Sequence, residues 1–150
     1  MSGMYFVTNN TQLQKEIKQI SRDSILPCSI ESCIKYLSTL EVVGFDIETL
    51  GFDPYKDRIV CIQLGNSENQ FVIDTTTIDI LKLRSLLEDS SKLFIGHNLK
   101  FDLRFFLLKG VIIKNVYDSY IAEQIIYNGY ENIKKSLDYV SERYTGIFLN

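Results

Sequence analysis

Two short stretches place carboxylates where they have neighbours to act with. In Phe45-Asp46-Ile47-Glu48-Thr49, strand side chains alternate, so Asp46 and Glu48 project from one face and Phe45 and Ile47 from the other. Two carboxylates held this close raise each other's pKa unless a cation sits between them. An all-oxygen set of that kind suits Mg²⁺ or Mn²⁺. Taken alone, the tripeptide fits equally a strand that leaves the core and meets water. The second stretch is Gly96-His97-Asn98-Leu99-Lys100-Phe101-Asp102. Asn98 and Asp102 are spaced to share one face of a helix, with Phe101, Phe105 and Leu108 on a neighbouring face that packs on a sheet. Asp102 then falls in the first turn of a helix, next to a strand end. N-capping by Asn98 and a favourable charge at the helix start account for each residue singly. They do not account for two acidic sites that each directly follow an apolar strand.

The elements that must hold these residues alternate along the chain. Tyr5–Thr8 reads as a short strand, and Thr11-Gln-Leu-Gln14 as a capping box opening a helix to about Ile20. After a break over Ser21–Pro27, Ser29–Leu40 carries Ile30, Cys33, Ile34 and Leu37 at helical spacing. Val42–Ile47, Arg58–Leu64 and Gln70–Asp74 follow as three strands with short connections, an antiparallel meander. The pattern then predicts a helix over Ile78–Asp89, a strand over Lys92–Gly96, a helix over Asn98–Lys109 stopped by Gly110, and a strand over Val111–Val116. Helices over Ser119–Asn128 and Ile133–Tyr144 come last, closed by Gly129 and Gly146. The expected fold is α/β: a mixed sheet, antiparallel meander plus parallel strands, flanked by helices. Residues 1–40 are expected to form a short N-terminal β/α extension.

Composition narrows the function. The 150 residues are 45% hydrophobic and 23% charged, with 8 Gly and 2 Pro, which suits one well-cored domain and excludes low-complexity sequence. A net charge of −3 excludes a protein that holds nucleic acid by bulk positive charge, though not one that does so through metal ions. Lys92, Lys100, Arg104, Lys109 and Lys114 form no basic stripe and are expected on a solvated surface. Three cysteines, Cys28, Cys33 and Cys61, and a single histidine match no metal-ligand pattern, so free thiols in a reducing compartment are expected. No run is apolar for long enough to span a bilayer. A soluble, cytoplasmic chain is the expectation.

Together the two acidic stretches resemble the DEDD 3′–5′ exonucleases, closest to the proofreading domain of family A DNA polymerases and the ribonuclease D group. The residues that carry the likeness are Asp46-x-Glu48-Thr49, Asn98-Leu-Lys-Phe-Asp102, and Val116-Tyr-Asp118-Ser-Tyr-Ile-Ala-Glu123, which is similar to the family's Asp-Thr-x-x-Ala segment. The likeness runs from Val42 to Gly146. It implies a ribonuclease-H-like fold and two-metal hydrolysis of nucleotides from a single-stranded 3′ end of DNA or RNA, as in proofreading, replication or repair. On that resemblance Asp46 bridges both Mg²⁺ or Mn²⁺ ions, Glu48 holds the ion that activates water, and Asp102 binds the second ion through water. Thr49 and Asn98 would touch the terminal nucleotide. Phe52 stands where the family often has an apolar wedge between the last two bases; the other reading of Phe52 is an anchor for its own loop. His97 would approach the substrate strand or, more simply, serve as a structural histidine. Asp118 is expected to cap a helix, not to ligate metal.

One part of the family pattern has no counterpart. No tyrosine is followed four residues later by an aspartate. Tyr127 and Glu131 are separated by Gly129, and Asp138 is expected on a solvated helix face. The expectation is a single domain, a core over residues 41–146 truncated at its C-terminal end. Without a positioned Tyr or His, worth about 10²–10⁴-fold in rate, it would hydrolyse slowly or not at all unless another chain or missing residues complete it. The alternative is a catalytically inactive exonuclease fold kept for binding or assembly. Apolar residues Ile121, Ile125 and Tyr139 would then meet a protein partner or a second copy. A ribonuclease H or integrase type of nuclease fits less well, because the Asn98–Asp102 helix is foreign to both.

Overall fold

The computed structural model describes residues 3–21 and 24–149. Alternating apolar residues build seven strands: β1 (Gly3–Val7), β2 (Ile25–Pro27), β3 (Val42–Thr49), β4 (Ile59–Gly65), β5 (Asn69–Asp74), β6 (Leu93–Gly96) and β7 (Val116–Asp118). They form one sheet in the order β2-β1-β5-β4-β3-β6-β7. The β3-β4-β5 meander is antiparallel and every other pairing is parallel. The N-terminal extension thus joins the sheet itself, β1 lying alongside β5 from Gly3↔Asn69 to Val7↔Ile73. Among the described residues six helices accompany the sheet: α1 (Thr11–Ser21), α2 (Ile30–Ser38), α3 (Arg84–Leu87), α4 (Lys100–Leu108), α5 (Ser119–Ile126) and α6 (Leu137–Thr145).

Period two decides where the core lies. Val43, Phe45 and Ile47 of β3 are buried with Ile62, Leu64, Phe71, Ile73 and Phe94 of neighbouring strands. Cys33 and Leu37 of α2, Leu86 and Leu87 of α3, and Phe105 and Phe106 of α4 cover that face. Phe45 sits at the centre, edge-on to Phe94 and 5.5 Å from the ring of Phe106. Asp46 and Glu48 emerge on the opposite face, which also exposes Val42 and Ile95. A depression of about 540 Å³ lies there over Gly44 and Gly65, rimmed by Met4, Val42, Val72 and Ile95.

Several expected elements differ in extent, each for a local reason. The helix expected over Ile78–Asp89 is a 3₁₀ turn, Ile80–Leu83, running into the single turn of α3. Asp79 caps Leu81 N–H from an extended backbone, so winding starts late, and the three-residue repeat brings Ile80 and Leu83 onto the core side. The strand expected over Val111–Val116 forms only at Val116–Asp118. Val111 N–H is taken by Phe106 O and Ile112 N–H by Glu88 Oε1, and β6 offers partners only from Phe94 to Gly96. The last helix starts at Leu137, not Ile133, and Gly146 closes it at φ 73°. At α1 the cap is Asn10, not Thr11: Asn10 Oδ1 accepts from Gln12 and Leu13 N–H, and Gln14 reaches back to Thr8 O. Part of the expected Ser21–Pro27 break is β2, and residues 22 and 23 lie outside the described ones. Lys92 is buried, its ammonium on Ser38 O and Leu40 O at 2.8 and 2.6 Å, so it caps α2 and faces no solvent.

Candidate active site

β3 ends in an irregularity that separates the two acidic residues from the loop after them. Glu48 pairs with Cys61 but Thr49 with Ile59, so the ladder slips by a residue between Glu48 and Thr49. Such a bulge ends pairing and re-aims side chains at a sheet edge. Beyond it Thr49 Oγ1 donates to Gly51 O at 2.6 Å, and Leu50 N–H to Arg58 O at 3.1 Å. Asp57 and Asp53 accept backbone N–H groups of Asp53 and Tyr55, so the loop ties itself together. Phe52 contributes nothing to that tie. It is 87% exposed and touches the rest of the protein through an edge contact with Phe101, 6.1 Å between rings. Phe101 belongs to the first turn of α4, as does Asp102, so the loop tip and the second acidic stretch meet.

Asp102 is 3% exposed and lies in the first turn of α4, as its spacing predicted. The β3–β6 ladder ends at Gly44↔Ile95; further along β3, Asp102 Oδ1 accepts the Ile47 N–H at 3.1 Å. The helix is therefore joined to the strand between Asp46 and Glu48. Burial pushes the Asp102 carboxyl up to about 6, against hydrogen bonds from its own and Ile47 amides, and the charges of Asp46 and Asp118 push further. Asp46 is raised too, first by burial and then by the Glu48 charge, with the Ile47 amide opposing. Each acid thus feels another, and the described ion pairs, Lys56–Asp53, Arg84–Glu88 and Arg143–Glu123, lie elsewhere. Cys61, opposite Glu48, is raised by burial and by the same charges. Among the described residues no three His, Cys, Asp or Glu side chains close into a cage. The oxygen-only donors and their mutual repulsion still suit a hard cation such as Mg²⁺, which keeps several waters and needs only one or two carboxylates.

Asn98 does not begin the helix. It has φ 61°, in the left-handed region, and α4 starts after Leu99, so Asn98 and Asp102 do not share a helical face. The physical reason is the sharp exit from β6. A Cβ on Gly96 would stand 2.6 Å from Phe45 O, so the strand ends pressed against β3 and the chain must turn at once. His97 is held in that turn. Its Nδ1 lies 2.9 Å from Ser119 Oγ, and its ring is edge-on to Tyr120 at 5.5 Å. Ser119 donates its one hydroxyl proton to Gly96 O, so its oxygen accepts from His97 and Nδ1–H is the donor. Asp118 caps α5 through Tyr120 N–H, as expected, and also accepts from Asn98 and Leu99 N–H. That second attachment had no signal in the sequence.

A mixed α/β sheet with a central acidic strand and an acidic helix start beside it defines a ribonuclease-H-like nuclease fold. The chain belongs to the 3′–5′ exonuclease family, whose model matches residues 27–150. It is similar to DNA polymerase I of Aquifex aeolicus (strain VF5), 35% identical over 118 residues that make up 78% of this chain and 19% of the polymerase. The chain thus spans about a fifth of that relative's length. Among solved structures it is similar to Trypanosoma brucei RNase D, with a TM-score of 0.71 and 16% identity, covering 98% of this chain and 49% of that one. Brucella melitensis NrnC, solved bound to pGG, gives a TM-score of 0.66 and 19% identity, covering 100% and 64%. The same protein with bound Mg²⁺ gives 0.65 and 19%, covering 100% and 65%. At these identities the two solved proteins show a shared fold.

Proposed function

We propose that this chain hydrolyses nucleotides from the 3′ end of single-stranded DNA or RNA with Mg²⁺ or Mn²⁺, two ions in the complete site. The observation that carries this reading is electrostatic. Asp46, Glu48 and Asp102 come from two elements joined by one hydrogen bond; burial raises Asp46 and Asp102, the Glu48 charge adds to this at Asp46 and the Asp46 charge at Asp102, with no described cationic partner. Asp46 and Glu48 on β3 and Asp102 on α4 would hold the ions. Once bound, they supply an activated water and stabilise the attacking and leaving oxygens of an in-line displacement. Thr49 and Asn98 flank the acids and contact the last nucleotide, and Phe52 offers an exposed ring for stacking on a base without regard to sequence. His97 is fixed through Nδ1, and its Nε2 is left for the substrate strand. NrnC, solved with Mg²⁺ and with pGG, supports a cation and a short nucleotide strand at this fold.

The test is release of mononucleotides from a single strand carrying its label in the 3′-terminal nucleotide, with Mn²⁺, for the wild type and Asp46→Ala. Digestion that needs the metal and vanishes in the variant supports the reading; digestion that survives Asp46→Ala ends it. A second reading is favoured by two observations: no Tyr with an Asp four residues on, and no three-residue cage among the described residues. On that reading the fold is a binding or assembly module, with exposed Ile121 and Ile125 of α5 as the surface for a partner or second copy. Calorimetric titration with Mn²⁺ separates the two, since a module without chemistry takes up no cation at Asp46.

A further inference from the structure

The β6–α4 turn carries His97 and Asn98 and leads straight into the helix of Asp102, yet little of its geometry comes from its own residues. Two consecutive residues hold it, Asp118 at the end of β7 and Ser119 at the start of α5. Asp118 Oδ1 accepts Asn98 N–H at 2.8 Å and Oδ2 accepts Leu99 N–H at 2.9 Å. Oδ1 also accepts Tyr120 N–H at 2.9 Å, the ordinary cap of α5. Ser119 Oγ meets Gly96 O and His97 Nδ1, both at 2.9 Å. Every residue from Gly96 to Leu99 therefore has a partner among residues 118 and 119. A helix cap needs only the Tyr120 bond. The two on Asn98 and Leu99 reach 20 and 19 residues back along the chain, to a residue at φ 61°.

The geometry points to Asp118, supported by Ser119, as the positioning residue of this site: it fixes the left-handed turn at Asn98 and, through the start of α4, the seat of Asp102 on the Ile47 amide. Asp118 touches neither ion nor substrate on this account. Besides the charge it adds at Asp102, it acts through the backbone, and its loss lets α4 shift relative to β3. This inference rests on the proposed function for its catalytic meaning, but not for its structural reading.

Asp118→Asn is the direct test, because the amide keeps the size and one acceptor while its NH₂ faces one of the N–H groups that the second oxygen accepted. Two readouts are taken on the full chain: amide hydrogen exchange without metal, and Mn²⁺ affinity by calorimetry. Exchange at Ile47, the amide that Asp102 covers, should rise about tenfold or more while Ile62 and Ile73 in the sheet core stay protected. Mn²⁺ affinity should fall about 10–100-fold, as when an outer partner of a metal site is lost. Adding Asn98→Gly, which adopts φ 61° without help, should return both values to within about threefold of wild type. Faster exchange confined to Asn98 and Leu99, with Ile47 and Mn²⁺ affinity unchanged, would reduce Asp118 to a helix cap and overturn the inference. If Asp118→Asn alone does not fold, the double variant decides: Ile47 protected supports the inference, Ile47 open overturns it. A wild type that binds no Mn²⁺ ends the proposed function, and the Ile47 exchange still reads the positioning role.

Discussion

Asp74 and Asp102 are both almost free of solvent, at 6% and 3% exposure, and both stand at the edge of an element. Their surroundings are opposite. Asp74, at the end of β5, is ringed by donors: Thr8 and Thr77 hydroxyls on Oδ2, and the Thr76 hydroxyl and N–H on Oδ1. Burial alone would raise it, yet the hydrogen bonds from Thr76, Thr8 and Thr77 together bring its carboxyl below the ordinary value. The knot also ties the end of β1 to the loop after β5, through Asn9 and Thr77. Asp102 has amide donors, but its other neighbours are acids, and it is pushed up to about 6. The same residue type thus stabilises the fold at one point and strains it at the other. A strained acid beside a second acid suits a bound cation, so on the proposed function Asp102 is the residue to perturb for activity without loss of fold.

The comparison breaks if activity and stability do not separate between these regions. The largest effect expected is on rate: Asp46→Ala should lower metal-dependent nucleotide release by about 10³-fold or more, the scale of losing a group that stabilises transition-state charge. Its urea midpoint should hold or rise. Asp74→Ala should do the reverse. Losing buried, charge-assisted hydrogen bonds from three threonines costs about 2–4 kcal/mol, read from urea unfolding, with Mn²⁺ affinity of the folded fraction unchanged. Equal losses of stability from both variants would sink the distinction.

The sequence made the site region more legible than the knot. Asp46, Glu48 and Asp102 stood out because carboxylates interrupt strongly apolar, periodic stretches, and periodicity survives folding. The meander and α4 were readable on the same ground. Asp74 looked like the end of a strand, since its meaning depends on Thr8, 66 residues away. The bonds from Asn98 and Leu99 to Asp118 were unreadable for the same reason, and Asn98 was misplaced because an asparagine before a helix fits a cap and a left-handed turn alike. Short elements failed where tertiary bonds overrode local pattern: the apolar run from Val111 has strand character, but Glu88 and Phe106 take its first amides.

A smaller and sharper test is the sign of the pH dependence without metal. For Asp102 the folded value, about 6, lies above the ordinary 3.8, so the folded state binds more protons and stability falls as pH rises between them. Asp74 is depressed when folded, so its contribution is present above its ordinary 3.8 and is lost as pH drops through its lower folded value. Asp102→Asn should therefore stabilise the metal-free protein at pH 7 by up to about 3 kcal/mol and flatten the slope between pH 4 and pH 6. With Mn²⁺ at a hundred times its dissociation constant, the wild type should recover about 2.7 kcal/mol, and the variant less. A wild type whose stability rises from pH 4 to pH 6 with no counter-slope removed by Asp102→Asn would mean that Asp102 is satisfied as Asp74 is.

Phe52 gives the smallest expected change in stability and the cleanest separation of fold from site. A ring 87% exposed, with one edge contact to Phe101, buries almost nothing on folding. Phe52→Ala should shift the unfolding free energy by no more than about 0.5 kcal/mol. If the ring stacks on a base, its removal should cost about 1–3 kcal/mol of strand affinity, seen as a raised KM with kcat nearly kept. Changing the terminal base should alter that loss little, because every base offers a face to stack on. A KM that does not move would leave Phe52 without a role at the 3′ end, and the contact with the terminal nucleotides would then fall to Thr49, Asn98 and His97.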